Sequence, residues 1–348
     1  MSAKKPTVMI VNRKSVVAGA GISRSLEERI VEPVRVLCDQ GLAEYTIVSD
    51  SDWENIDFRG YTHVAMNRPH SHDSFQMATM AKLANVPLLI DIDDLPIYFP
   101  EGDSAHLSDE KKRFFMKCME TATVILPSTK KILEWLKKEL PSVESIHVPT
   151  GLDFDRIDRE TKSTHKYSRG ILFTNAGSLK LGTFAQDWLS VMEKVLKKTG
   201  WRLEVFADNT SYLPDTLPFH YLGQAGWFEH KTAINQAFPL SITPLASSED
   251  PLHLEYSQYK TPIKYITYGG LGIPGIYSDC SIYSDEIINL ETGIVVKNTT
   301  EAWTEAMERA ISDTDLLKKI MMAAKKDVRN RFSIERAARN WHAILSST

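Results

Sequence analysis

Two lysines four residues apart bracket a helix start in Tyr259-Lys-Thr-Pro-Ile-Lys264. Proline is favoured in a first helical turn. The spacing therefore predicts a helix opening near Thr261-Pro262, with Lys260 at its N-terminus and Lys264 one turn further along the same face. A cation at that end opposes the helix dipole. A bound anion would meet free backbone N–H groups, the dipole and both ammonium groups together. The pair is a candidate diphosphate cradle, with two solvated surface lysines as the alternative. A second constellation, Asp91-Ile-Asp-Asp94, ends an apolar strand. Alternation places Asp91 and Asp93 on one face and Asp94 on the other. Such carboxylates can orient substrate hydroxyls, act as a base, or cap the following loop. An Asp-x-Asp metal site competes, but two carboxylates make a thin ligand set.

Further candidates lie in loops. His106 follows the aspartate cluster and could reach the same cleft. His70 and His72 have a spacing compatible with metal binding but no evident third ligand; a surface loop or a substrate contact are the other readings. Gly19-Ala-Gly21 follows the first strand, and such small residues let backbone N–H groups approach a phosphate or sugar, a mobile loop being the alternative. Ser178 and Lys180 follow the first strand of the second half, where Lys180 would add positive charge. Gly270-Leu-Gly-Ile-Pro-Gly275 fits a dinucleotide fingerprint only literally, because it closes a helix instead of opening one. Gly177–Gly182 has P-loop spacing but continues with Thr183 and Phe184 instead of Lys and Ser/Thr.

The elements that must position these groups alternate between short apolar strands and amphipathic helices. Val8–Val11, Tyr45–Val48, His63–Met66, Val86–Asp91, Thr123–Leu126 and Ile146–Val148 read as strands of a first half. Ser108 and Ser128 read as helix caps, and Pro33 should kink the first helix. Polar Asp153–Ser168 reads as an inter-domain linker. Strands follow again at Gly170–Thr174, Arg202–Phe206, His220–Leu222, Leu240–Thr243, Ile273–Tyr277 and Gly293–Val296, with a polar loop after Pro244 and one long helix over Glu301–Arg331. The fold class is α/β, with two doubly wound Rossmann-like domains facing a cleft.

Composition narrows the classes. The chain has 348 residues, enough for two domains. Its 41 basic and 45 acidic residues leave a net charge of −4, which argues against a dedicated nucleic-acid binder. No apolar run reaches the length of a transmembrane helix, and the N-terminal residues lack the apolar stretch of a signal peptide. Three well-separated cysteines, Cys38, Cys118 and Cys280, fit a reducing compartment and no disulfide framework.

Tyr259-Lys-Thr-Pro-Ile-Lys-Tyr-Ile-Thr-Tyr-Gly-Gly-Leu-Gly-Ile-Pro274 resembles the donor-site signature of GT-B glycosyltransferases, specifically the family 4-like enzymes of bacterial surface polysaccharide synthesis. Lys260, Thr261, Lys264, Tyr268, Gly272, Pro274 and Ser278 fall on that pattern. Arg24, Arg29-x-x-x-Pro33 and Asp91-Ile-Asp-Asp94 agree with it in order along the chain. The resemblance implies an N-terminal acceptor domain over 1–155, a nucleotide-sugar donor domain over 156–330, and a last helix over 331–348 crossing back to the first domain. It implies donor contacts from Lys260, Thr261 and Lys264, joined by Gly19, Gly21, Ser178, Lys180, Asp250, Ser257, Tyr259 and Thr267. Asp93, Asp94 and His106 are the catalytic candidates. Thr267 and Tyr259 stand where many members carry glutamates. Expected partners are a nucleotide-sugar donor as co-substrate and a glycan or lipid-linked acceptor, with no metal and no nucleic acid. The implied activity is a retaining sugar transfer in the cytoplasm, with peripheral association at the inner membrane face as an option. A nucleotide-sugar epimerase of the same fold and an inactive nucleotide-binding partner protein are the alternatives.

Overall fold

The computed structural model describes residues 5–13, 21–99, 101, 106–162, 165–174, 184–207, 210–211, 213–223, 227–245 and 251–348. Gly19, Ser178, Lys180 and Asp250 lie outside them. Two parallel sheets organise the chain. The first comprises β1 (Thr7–Asn12), β2 (Glu44–Ser49), β3 (His63–Asn67), β4 (Leu88–Ile92), β5 (Val124–Pro127) and β6 (Glu144–Ser145), in the order β2-β1-β3-β4-β5-β6. The second comprises β7 (Gly170–Thr174), β8 (Arg202–Phe206), β9 (Phe219–Gly223), β10 (Leu240–Thr243), β11 (Gly275–Ser278) and β12 (Ile294–Val296), in the order β12-β11-β10-β7-β8-β9. Strands β3, β4, β5 and β7 are buried along their whole length, as expected of apolar strands covered by helices on both faces. The strand order reverses between β1 and β3 in one sheet and between β7 and β10 in the other. Ligand crevices open outside the carboxyl ends of strands at such points.

Several helix boundaries differ from the sequence reading, each for a local reason. The polar segment after Asp153 is not bare linker: Asp153 caps a helix over Phe154–Glu160, whose Phe154 and Ile157 pack into the second domain. Gly270 admits that packing, because a Cβ there would lie 2.2 Å from the Phe154 ring. The long C-terminal helix breaks at Asp313, which ends Thr300–Ser312 and caps Thr314–Arg331 through a 2.9 Å bond from the Leu316 N–H. Thr129, not Ser128, caps Lys130–Glu139. The loop expected after Pro244 contains the helix Pro251–Gln258. Gly270 and Gly272 do close a helix: Gly272 has a φ of 72°, and the Ile273 N–H bonds the Tyr268 carbonyl at 2.9 Å.

The last helix, Ile334–Ser347, packs on the first domain. Its crossing is braced by the Leu152 N–H on the Phe332 carbonyl at 2.9 Å and the Ile334 N–H on the Leu152 carbonyl at 3.0 Å. Pro33 helps to anchor it. A proline has no N–H for the carbonyl four residues back, and the Arg29 carbonyl instead accepts the Trp341 indole N–H at 3.0 Å. Here the first helix opens into a wider turn over Glu27–Val31. Trp341 is fully buried among Val8, Ile10, Ile30 and Ala65. Trp341→Ala should cost about 3–5 kcal/mol of stability, and Trp341→Phe about 1 kcal/mol for the lost hydrogen bond plus the lost packing. Urea unfolding checks both; an unchanged midpoint in Trp341→Ala would refute this anchoring.

Candidate functional site

The carboxyl edge of the first sheet is built on a buried charge pair. Arg29 Nε donates to both Asp91 oxygens at 3.1 and 3.2 Å, and Arg29 Nη1 donates to the Val148 carbonyl at 2.6 Å. Burial pushes the Asp91 carboxyl up, against the pull of Arg29. Asn67 Nδ2 bridges Asp91 and Asp93 at 2.8 and 3.2 Å. Next to it Arg68 turns through a φ of 42°, a left-handed conformation costly for a side-chain-bearing residue. The turn sets its guanidinium 2.9 Å from Asp93 and 3.8 Å from Asp94, with Nη2 on the Ser25 hydroxyl at 2.9 Å. Burial pushes Asp93 up, but Arg68 and the Ser25 hydroxyl hold it below its ordinary value.

The second domain grips this edge through the segment read as a donor cradle. The Thr261 N–H donates to Asp94 at 2.9 Å, and the Thr261 hydroxyl donates to the Asp93 carbonyl at 2.6 Å. Ser128 joins them, 2.8 Å from the Thr261 hydroxyl and donating to the same carbonyl at 2.8 Å. The Leu95 N–H bonds the Tyr259 carbonyl at 3.2 Å, and the Tyr259 ring stacks on Tyr98 at 5.0 Å. A buried ion pair, Lys231 to Glu28 at 2.5 Å, makes a second link between the domains.

The two candidate lysines part company. The helix starts at Ile263, with Pro262 in the cap position and Lys260 in the turn before it. Lys260 donates to the Tyr256 hydroxyl at 2.6 Å, lies 3.8 Å from Asp94, and sits over the Phe99 and Tyr256 rings. Lys264 points to the second sheet instead, donating to the Thr174 hydroxyl, which also meets the Tyr268 hydroxyl. Thr174 ends β7, at the point where the strand order reverses. Burial, then Arg24, Lys231 and Lys260, lower Lys264 to about 7, with only Glu28 among the named neighbours acting the other way. His230 on Trp227–Ile234 is lowered to about 3 by burial and the charges of Lys264, Arg24 and Lys231. This is a concentration of positive potential at a ligand crevice, the electrostatic arrangement that a diphosphate would relieve.

The structure thus brings Asp93, Asp94, Lys260 and Thr261 together at the domain seam and turns Lys264 toward the end of β7. Tyr259 packs toward the first domain, and Ser257 and Thr267 are buried. His106 Nδ1 donates to the Phe99 carbonyl at 2.7 Å. A Cβ on Gly21 would meet no heavy atom within 4 Å. His72 is exposed and edge-on to Phe114, whereas His70 faces Arg13. Among the described residues no group of three His, Cys, Asp or Glu side chains is arranged to hold a metal, and no helix is long and apolar enough to cross a membrane. Sequence reasoning missed Thr174, His230 and Lys231. Thr174 had one usable signal, its position as the last residue of a buried strand.

Two tests follow from these charges. Asp91→Asn leaves Arg29 buried without its countercharge and should cost about 3–5 kcal/mol, read by denaturant unfolding; wild-type stability would show that the pair does not hold the sheet edge. Lys264 has a folded pKa of about 7 against an ordinary 10.5, so the unfolded chain binds more protons between those values. Stability should therefore rise with pH across that window and lose this rise in Lys264→Met. Parallel stability–pH curves for the two proteins would refute the assignment.

No protein-family model matches the chain, and no curated protein matches it either. Solved structures do. A glycosyltransferase from Rickettsia africae superposes with a TM-score of 0.67 at 15% identity, over 99% of this chain and 98% of that one. Anabaena HepE, solved in complex with UDP and glucose, gives a TM-score of 0.67 at 11% identity, over 99% and 100%. A putative UDP-N-acetylglucosamine 2-epimerase from Listeria monocytogenes gives 0.63 at 12% identity, over 99% and 96%. The two Rossmann-like domains and their mutual arrangement are those of the GT-B fold.

Proposed function

We propose that the chain is a glycosyltransferase that moves a sugar from a nucleoside-diphosphate sugar to a glycan, lipid-linked or other hydroxyl acceptor. The observation that carries this reading is Lys264, half-buried at the β7 end, within the field of Arg24, Lys231 and Lys260, and held by a neutral hydroxyl. Anabaena HepE, which shares the fold, is solved in complex with UDP, and this supports a nucleotide ligand here. In the reaction the bond between the anomeric carbon and the diphosphate oxygen breaks, and charge grows on the leaving diphosphate. Lys264 interacts more strongly with that charge in the transition state than in the ground state, which is how it lowers the barrier. With retention, the acceptor oxygen attacks the anomeric carbon from the face the diphosphate leaves. Its proton passes to the departing phosphate oxygen. Asp93 then orients the acceptor instead of removing a proton, and the cations take the place of a metal. We place the protein in the cytoplasm, with the inner membrane face as the site of any lipid-linked acceptor.

The Listeria neighbour is the observation behind the epimerase reading. Donor incubated alone separates the two: an epimerase converts it, whereas a transferase needs acceptor. Calorimetry with UDP, GDP, dTDP, ADP and CMP tests nucleotide binding first. A bound diphosphate should restore the Lys264 proton, so binding at about pH 8 should take up close to one proton, read from two buffers of different ionisation enthalpy. Lys264→Met should abolish that uptake and lower kcat on the order of 10²–10³. Tight nucleotide binding with no proton uptake, or near-normal turnover in Lys264→Met, would place the phosphates elsewhere.

A further inference from the structure

A second set of polar groups lies at the reversal point of the first sheet. Val11 of β1 pairs with Met66 of β3, so the two chains leave the sheet side by side at Arg13 and at Asn67-Arg68. The crevice principle for open α/β sheets applies here as it does at β7. Asn67 Nδ2 is fixed by two carboxylates, which fixes the amide and turns Oδ1 away from them. That Oδ1 is buried and has no hydrogen-bond partner, although Asn67 itself is only 4% exposed. A buried acceptor left empty is costly unless something fills it.

Arg13 is the other unusual group. Its Nη1 lies 2.7 Å from both ring nitrogens of His70, while His70 Nδ1 lies 3.0 Å from the Arg68 carbonyl. The carbonyl can only accept, so Nδ1 carries the proton and Nε2 accepts from Arg13. Burial and the Arg13 charge push His70 down to about 3, so it is neutral and can accept from Arg13, but a histidine offers a guanidinium no negative charge in either form. The carboxylates nearest Arg13 are engaged elsewhere. Asp50 accepts from the Ser71 and Ser74 hydroxyls at 2.9 and 2.7 Å, and Asp93 lies 2.9 Å from Arg68. Among the described residues no ion pair forms at Arg13. Burial and the Arg68 guanidinium lower it to about 10.

We propose that this crevice is an acceptor subsite for a sugar or polyol bearing an anionic group, with Arg13 binding the phosphate or carboxylate and Asn67 Oδ1 accepting a hydroxyl. The proposal rests on the transferase reading for the word acceptor, but the binding does not. A phosphate and a carboxylate offer the same oxygen pair to a guanidinium fork, and Arg13 recognises either. Asn67 supplies what a neutral oxygen can: a lone pair for a hydroxyl, beside Asp93.

Calorimetry on the full chain tests the subsite without turnover. The probes are glucose 6-phosphate, glucuronate and glucose, titrated into wild type, Arg13→Gln and Lys264→Met. The expected result is binding of an anionic probe and much weaker binding of glucose. Arg13→Gln should weaken the anionic probe roughly ten- to hundredfold, and Lys264→Met should leave it unchanged. The phosphate and uronate arms show which anion is preferred. UDP binding, measured on the same Arg13→Gln protein, should be unaltered and shows that the variant is folded. Loss of the anion in Lys264→Met with retention in Arg13→Gln would mean that the anion occupies the cleft lysines, which overturns the subsite. Glucose binding as tightly as its phosphate, or no probe binding the wild type, overturns it too. Failure of UDP to bind with the anionic probes still dependent on Arg13 would instead sink the transferase reading and keep the subsite.

Discussion

A charge buried inside a protein has to be neutralised where it stands, and in this chain that constraint falls on Asp91. The carboxylate sits in the middle of a sheet, fully buried, and Arg29 reaches it from the first helix. The same guanidinium binds the Val148 carbonyl, and the Arg29 carbonyl receives Trp341 from the last helix. One residue therefore joins the first helix, the central strand, the exit of the first domain and the helix that returns to it. Asp93 and Asp94 are aimed by the same strand two and three residues later. Pairs of this kind add little net stability over an apolar substitute, yet leaving one member alone is heavily penalised. Their effect is to fix a register, and the register here sets where the cleft carboxylates point.

The segment from Tyr256 to Lys264 has two tasks. Its first part grips the first domain through Tyr259, Lys260 and Thr261. Its second part presents Lys264 to the end of β7. The turn before Ile263 lets four residues serve both domains, and it couples the seam to the cation that faces the cleft. A shift of Thr261 away from Asp93 would carry Lys264 with it, because only the cap Pro262 and the first helical residue, Ile263, separate the two.

Much of this architecture is written locally. Strands such as Leu88–Ile92 are apolar on both faces, which is enough to announce a covered parallel sheet, and the repetition of that pattern announces two domains. The end of β4 as a site of clustered carboxylates was equally visible. What local sequence does not carry is the partner across space. Arg29 and Asp91 are 62 residues apart, and Ser128 and Thr261 are 133 apart. Ser128 therefore read as a cap, with its neighbour Thr129 equally able to cap and free to do so. Lys260 and Lys264 read as a pair because helix periodicity puts them on one face. The helix in fact begins after Lys260, so periodicity never applied to it. Asp313 could be read as polar surface or as a cap, and only the path of the chain decided between them.

The return of Ile334–Ser347 to the first domain bears on how the chain is made. A ribosome delivers residues in order, and domains tend to fold as they emerge. The first domain emerges first, yet Trp341 fills its core only after the whole second domain has been synthesised. Until then the groove beneath Arg29 stays open, with apolar side chains of the first helix exposed to chaperones or to a neighbouring nascent chain. The earliest domain to appear is thus the last to be completed, and its final closure waits on the second domain.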